Sequence, residues 1–355
     1  MDNAEPAMDE AKPAMDNAKP AMDEAALAAW LSAAAGVPVA ILSRARLPGG
    51  AIQQNIALGV TRGGVAEDWV LRTDNAATLA VSLGRSAEFA LLRAAHAAGV
   101  TVAEPLFGCE DGHVIGAPFF VMRRVGGSAA GHATARRAAA MGGDAALAAE
   151  HGRQLARIHR IRPPRGELGF LGAPPVDATT AFIARMRARL DDAGTPRPPL
   201  EYGLRIMERL APAPLPAVLC HNDFRTGNIM QEAGRITAVL DWEFAAWGDP
   251  HEDLGWFTAR CWRFGQVALE AGGIGPLDAF LAGYAAEAGW QPDPGRVRFW
   301  QLGATIRWAV IAADQAARHL SGQEPSLELA LTGHMVPGLE WDVLNQAEAL
   351  HAGKA

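Results

Sequence analysis

From Val39 onward the chain alternates apolar and polar residues in short runs parted by turn residues. VAILSRARL is followed by Pro48-Gly49-Gly50, AIQQNIALGV by Arg62-Gly63-Gly64, and DWVLRT closes the series. Runs of period two bounded by glycine pairs predict two successive β-hairpins, and so an antiparallel sheet. Between Ser86 and Ala98 the apolar positions (Phe89, Leu91, Leu92, Ala95) change to helical spacing, with Glu88 near the start. EPLFG and APFFVMRRV then supply two more strands, which makes a five-stranded sheet with one helix.

Past Gly126-Gly127 the character turns helical. A weakly ordered Ala/Gly/His segment precedes a helix over 145–161. Residues 163–215 are rich in proline and arginine around helical patterns near 177–191 and 200–210, and read as an insertion able to close over substrate. The last third is helical again: PHEDLGWFTARCW, LDAFLAGYAAEAG and VRFWQLGATIRWAVIAADQAARHL. Arg298, Arg307 and Asp314 make the last of these a buried or amphipathic helix rather than a membrane span. Trp256, Trp262, Trp300, Trp308 and Trp341 are expected to build core there, with some left to line a cleft.

Composition narrows the class. The 355 residues are half apolar and allow two packed lobes, each with its own core. The net charge is −7, of which residues 1–24 carry −5: seven acids against Lys12 and Lys19. The remaining chain is only −2, so no basic excess points to nucleic acid or an anionic membrane. The opening residues are four heptads, MDNAEPA, MDEAKPA, MDNAKPA and MDEAALA. Pro6, Pro13 and Pro20 would break a coiled coil once per copy, so residues 1–22 are expected to be a disordered tail, with helix beginning near Asp23. Cys109, Cys220 and Cys261 are odd in number and widely spaced, with no secretory signal before them, which makes a reducing cytoplasm the expected compartment.

Candidate chemistry gathers in VLCHNDFRTGNIMQEAGRITAVLDWEFAAWGDP, from Val218 to Pro250. An apolar run ends at Cys220, and a polar loop places Asp223 five residues before Asn228. Glu232-Ala233-Gly234 then signals a hairpin, and a second apolar strand delivers Asp241. Such a layout suits phosphoryl transfer, in which the protein mainly positions a hydroxyl, a nucleotide and magnesium. One carboxylate orients the attacking hydroxyl while hard oxygens hold the cation. Asp223 is the candidate catalytic base, and Asn228 and Asp241 are candidate metal ligands. Glu243 is placed to reach a second metal or to pair locally. Arg225, between base and ligand, is open to three roles: contact with the γ-phosphate, contact with a substrate acid, or support of the loop.

The stretch resembles the catalytic and metal-binding segments of the aminoglycoside phosphotransferase and choline kinase-like family. The family's His-Gly-Asp, four residues, Asn, and Asp-centred strand end stand here as His221, Asn222, Asp223, Asn228 and Asp241, with Asn222 in place of the usual glycine. DFRTGNIM and VLDWEFAAWGDPHEDLGW are similar to the branch related to the kinase domain of acyl-CoA dehydrogenase family members ten and eleven.

The resemblance implies an α+β, protein-kinase-like two-lobe fold with a small antiparallel-sheet N-lobe and a mainly helical C-lobe. Residues 23–125 would bind the nucleotide, and residues 126–355 would carry catalysis and substrate. It implies ATP or another nucleoside triphosphate and Mg2+ as cofactors, and a small-molecule hydroxyl as acceptor: a hydroxy acid or its acyl thioester, or an aminoglycoside. A catalytically inactive nucleotide-binding protein is the reading from another class. His221 takes a scaffold role, Asp249 and Asp253 structural ones. The pair Gly49-Gly50 is open to two readings, a loop whose backbone amides approach phosphate or an ordinary hairpin turn, and Arg123 with Arg124 fall where the resemblance places the inter-lobe hinge, whose backbone would meet adenine.

Kinase-like sites grip the α- and β-phosphates with a third-strand lysine held by a helix glutamate. Lysine occurs here only at 12, 19 and 354, so Arg72 of WVLRT falls at that place, with Glu88 as its partner. Guanidinium is permanently charged but presents a fork rather than a point charge. For the acceptor, Arg185, Arg187 and Arg189 beside Phe182, Ile183 and Met186 lean toward a pocket for an acid, or equally form an ordinary amphipathic helix.

Overall fold

The computed structural model describes residues 22–47, 53–74 and 84–353. The heptads up to residue 21 and the turn with Gly49 and Gly50 lie outside the described residues, so the phosphate-loop expectation has no structural counterpart here. Asp23 caps α1 (Glu24–Ala35) by accepting from the Ala25 and Ala26 amides at 3.0 and 3.1 Å. Leu27 and Leu31, one turn apart, are fully buried with Val39, Leu58, Val60, Trp69, Leu71, Phe119 and Val121. Trp30 adds an edge-on contact to Phe119, with ring centroids 5.0 Å apart.

The strands follow the alternation. β1 (Val39–Arg46), β2 (Gln53–Arg62) and β3 (Val65–Asp74) pair antiparallel in succession, then α2 (Arg85–Ala97) leads to β4 (Pro105–Cys109) and β5 (Phe119–Arg123). The order is β1-β2-β3-β5-β4, which puts β3 in the middle. Trp69 to Thr73 are buried without interruption, as expected for a strand covered on both faces. Arg72 is therefore held inside the sheet, at 6% exposure. Leu91, Leu92 and Ala95 of α2 join a core with Leu155, Ile158, Leu219, Phe224 and Trp242, so the sheet's helix is packed into the helical half.

That half contains α3 (Gly131–Ala140), α4 (Ala145–His159), α5 (Ala178–Ala193), α6 (Pro198–Arg209) and the short strand β6 (Val218–Cys220). The hairpin β7 (Ile229–Glu232) and β8 (Arg235–Val239) follows, then β9 (Ala246–Gly248), α7 (Pro250–Thr258) and α8 (Leu277–Ala288). The chain ends in α9 (Pro294–Leu320), α10 (Leu327–Gly333) and α11 (Val336–His351). α3 replaces the weak order expected there: its alanines favour helix, and Ala135 and Ala138 bury one face. α4 and α8 touch backbone to backbone. A Cβ on Gly152 would lie 2.1 Å from the Phe280 carbonyl oxygen, and one on Gly283 would lie 2.0 Å from that of Ala149. This crossing brings His159 and Tyr284 together behind β6.

The segment 163–215 is core rather than a separate cover. Phe182, Ile183, Met186, Leu200, Leu204 and Met207 are buried with Trp300, Ile306, Leu339 and Val343 of α9 and α11. Arg187 is held by Glu201 and Glu208 at 3.0 and 3.2 Å, and Arg189 by Asp314. Pairing takes Arg187 and Arg189 out of any acid pocket, while Arg185 has no ion pair among the described residues and lies over the Phe182 ring at 5.8 Å. Trp256 and Trp300 are core at 3% and 1% exposure, Trp262 and Trp308 are half-buried, and Trp341 departs from expectation at 65% exposed. Among the described residues no helix is long and apolar enough to cross a membrane.

Candidate active site

β6 pairs with β9 and ends at Cys220, and the chain leaves it through Asn222 at φ +62°. Asparagine tolerates this left-handed region better than other non-glycine residues, which accounts for its standing in glycine's place. Asp253 of α7, fully buried, fixes the turn by accepting from the His221 and Asn222 amides at 2.6 and 2.8 Å. His159 Nε2 adds a third bond at 3.2 Å, with the Tyr284 hydroxyl 2.8 Å from its Nδ1. Burial pushes the Asp253 carboxyl up, but the bond and charge of His159, the charge of His221 and the backbone amide outweigh it and hold it below the usual range. Asp249 and Glu252 form a capping box at the start of α7.

His221 accepts the Asp223 amide at Nδ1, 3.2 Å, and so donates from Nε2 to the Leu240 carbonyl at 2.8 Å. These partners assign its tautomer. Burial lowers its pKa and keeps it neutral, a strut between the loop and the end of the hairpin. His159, Cys220 and Asp253 also come within 4.8 Å of one another. Their polar atoms are already engaged in holding the loop: the Cys220 thiol faces the Asp249 carbonyl at 3.3 Å, and burial keeps it protonated by pushing its pKa well up.

Three donors converge on the Asp223 carboxylate: Asn228 Nδ2 at 2.5 Å, Trp256 Nε1 at 3.2 Å and Arg225 Nε at 3.2 Å. Its side chain keeps 15% of its surface exposed, less than a solvated loop would leave it. Burial raises its pKa, Arg225, His221 and Arg307 draw it back, and Asp241 raises it again. Asn228 spends its amide N–H groups on the Asp223 carbonyl, at 3.0 Å, and carboxylate. That orientation leaves its oxygen as the group available to a cation. The Leu240 amide donates to the Asn228 carbonyl at 2.8 Å, which brings the hairpin end beside the loop. Asp241 follows at φ +58° with its carboxylate 43% exposed. An amide oxygen and a half-open carboxylate fit Mg2+, which takes few protein ligands and fills its shell with water and phosphate oxygens.

Arg72 Nη2 lies 3.0 Å from Glu88 Oε1 and 3.4 Å from Asp241 Oδ1. Strand, helix and hairpin end are thereby joined by one guanidinium, as the sequence expects for the first pair. Arg85 shares Glu88 and holds Asp74 at 2.9 Å. Burial pushes the Glu88 carboxyl up against the pull of both arginines. Arg123 is held within the sheet. Its guanidinium is taken by Glu67 at 2.9 Å and Glu104 at 2.8 Å, and its amide donates to the Glu104 carbonyl at 2.9 Å. The Arg124 amide donates to Asp68, so both hinge amides serve the sheet and neither is available to adenine.

Sequence reasoning missed Arg85, Trp256 as a partner of Asp223, and Arg307. Arg85 had a local signal, its spacing of three from Glu88 on one helix. Trp256 and Arg307 had none, because α7 and α9 reach the loop only through tertiary packing. Arg307 Nη1 donates to Asn222 Oδ1 at 3.4 Å, and its guanidinium stacks 4.6 Å from the Trp256 ring.

Buried loop, oriented amide and carboxylate-bearing hairpin end together define a phosphotransferase of the kinase-like class. The chain belongs to the phosphotransferase enzyme family, APH, which it matches over residues 43–300. Acyl-CoA dehydrogenase family member 11 of Mus musculus is 26% identical over 269 residues, 71% of this chain but only 34% of that relative's own length. In structure, the chain is similar to a candidate aminoglycoside phosphotransferase from Ralstonia eutropha JMP134, with a TM-score of 0.71, 23% identity, and coverage of 92% of this chain and 98% of that one. Spectinomycin phosphotransferase, solved with ADP and spectinomycin, has a TM-score of 0.60 at 11% identity over 93% of this chain and 99% of its own. The fold is accordingly the α+β, kinase-like one, and the class is that of small-molecule kinases.

Proposed function

We propose that the chain transfers the γ-phosphoryl group of ATP to a hydroxyl of a small hydroxy acid or its acyl thioester. Asp223 orients the hydroxyl and takes its proton as the oxygen–phosphorus bond forms and the bond to ADP breaks, giving a phosphate ester and ADP. Arg72, held by Glu88, grips the nucleotide phosphates, and its fork in place of a lysine keeps the charge. Asn228 and Asp241 hold Mg2+, which when bound neutralises charge on the transferring phosphates.

The observation that carries this reading is the carboxylate of Asp223, fixed by donors from Asn228, Trp256 and Arg225 yet left partly open. A structural aspartate would be closed off, as Asp253 is. For the acceptor class, the name of the mouse relative supports acyl chemistry, and the groups around the base are cationic and aromatic. A polycationic aminoglycoside would need carboxylates instead. ADP formation measured across hydroxy acids, their coenzyme A thioesters and amino alcohols tests the proposal. Magnesium-nucleotide binding without turnover, unaltered by Asp223→Asn, would establish an inactive binder instead.

A further inference from the structure

Arg307 sits half-buried on α9 against the catalytic loop, and among the described residues no carboxylate lies within salt-bridge distance of it. Arg296 and Arg298 on the same helix each have one, Asp249 at 3.5 Å and Glu270. A guanidinium withdrawn from water is costly, and Asp223, Glu252 and Asp253 offset this only from beyond ion-pair distance. Its protein contacts are one long bond to Asn222 Oδ1 at 3.4 Å and the face of Trp256 at 4.6 Å. The indole N–H of Trp256 in turn holds Asp223, so the cation is one ring away from the proposed base.

The same wall holds two further unmatched donors. Trp262 Nε1 and Trp308 Nε1 are buried with no acceptor. Their rings lie 4.7 Å apart, and Trp262 is 5.1 Å from Trp256 and carries Arg225 over its face at 5.0 Å. Buried donors are normally paired, and beside a partly open carboxylate these two are placed to meet an acceptor that the protein does not supply. Asp241 acts on Asp223, and Glu252 and Asp253 on Arg307, but none of them forms an ion pair with the Arg307 guanidinium among the described residues. Arg225 is already committed to that carboxylate, whereas Arg307, with Arg185 acting on it from α5, has no ion pair among the described residues.

We propose that Arg307 and the Trp256–Trp262–Trp308 wall form the acceptor subsite and that Arg307 binds an anionic oxygen group of the substrate, remote from the hydroxyl held by Asp223. The inference rests on the phosphotransferase reading and names its acceptor as an anion. A free carboxylate and a phosphate of a thioester carrier share this chemistry. Indole surfaces suit the apolar carbons between the two ends, and a tail ammonium would meet Arg307 with repulsion.

The test compares short 3- and 4-hydroxy acids, their neutral amides, their coenzyme A thioesters and matched amino alcohols in wild type, Arg307→Met and Arg307→Lys. ADP formation and quenching of indole fluorescence are both read. Wild type should favour the anionic acceptors by about 10-fold or more in kcat/KM, and Arg307→Met should lose about 10- to 100-fold on them through KM. Lysine should restore part of this, with the KM for ATP unchanged. The acid and thioester arms tell the two anion sources apart. A KM for ATP that rises in parallel with the acceptor KM in Arg307→Met would make the residue structural and overturn the proposal. Equal or better use of amides or amino alcohols by wild type, or an anion preference that survives Arg307→Met, would also overturn it. If no acceptor supports Asp223-dependent turnover, the phosphotransferase reading falls. Fluorescence then decides separately: anion quenching that needs Arg307 upholds the subsite, and its absence removes it.

Discussion

Arg72 on the central strand approaches Asp241 at the hairpin end to 3.4 Å while paired to Glu88 at 3.0 Å. The guanidinium can turn toward phosphate without leaving Glu88 unpaired, since Arg85 also holds that carboxylate. Arg72→Ala should therefore leave the fold intact and raise the KM for ATP by about 10-fold or more, the loss of a charge-assisted contact. Arg72→Lys should retain most of the affinity. Nucleotide titration decides, and an alanine variant that binds as tightly as wild type would show that Arg72 does not touch phosphate.

Asp223→Asn keeps the shape and removes the charge. If the carboxylate takes the hydroxyl proton, kcat should fall by about 10²- to 10⁴-fold. Nucleotide affinity should move little, since the proposed phosphate and metal contacts lie on other residues. A variant with near-normal kcat would reject Asp223 as the base.

The pH profile follows from the same residue. Burial raises the Asp223 pKa, and a base works only when deprotonated, so activity should rise with pH through a value above the ordinary aspartate range of about 3.9. Arg225 is the first of the charges that pull it back. Arg225→Met should therefore move the acidic limb of kcat further up in pH. A limb that stays in place or shifts downward would show that Arg225 does not tune the base.

Local patterns carried much of this fold and site. Short apolar runs parted by turn residues located all five strands of the sheet, and the spacing of Asp223, Asn228 and Asp241 marked groups that the loop and hairpin do bring together. Arg72 and Glu88 were readable as a pair because each belongs to a regular element of clear period. Arg307 and Trp256 were not, because a charge in a 27-residue helix shows its partner only once α7 and α9 pack. The arginines of α5 stayed open between two readings for a related reason: Glu201, Glu208 and Asp314, which pair with two of them, come from other helices. Arg123 looked like a hinge residue, but strand pairing had already used its amide.

Asp253 holds the catalytic turn together. It is buried, and it satisfies two amides of the catalytic turn and one imidazole. Asp253→Ala leaves those donors unpaired and should cost about 3–5 kcal/mol, by the general penalty for breaking a buried charged network. Asn222→Gly keeps the left-handed turn and gives up only the long bond from Arg307 to Asn222 Oδ1 at 3.4 Å, so it should cost far less. The pH dependence has a definite sign. The folded-state pKa of Asp253 is depressed, so its stabilisation is present above the unfolded value of about 3.9 and is lost as pH falls through the folded one. Denaturant unfolding of wild type and Asp253→Ala should therefore differ by a constant amount above about pH 5 and converge below about pH 4. A gap as wide at pH 3 as at pH 7 would mean that the ionised carboxylate is not what holds the loop.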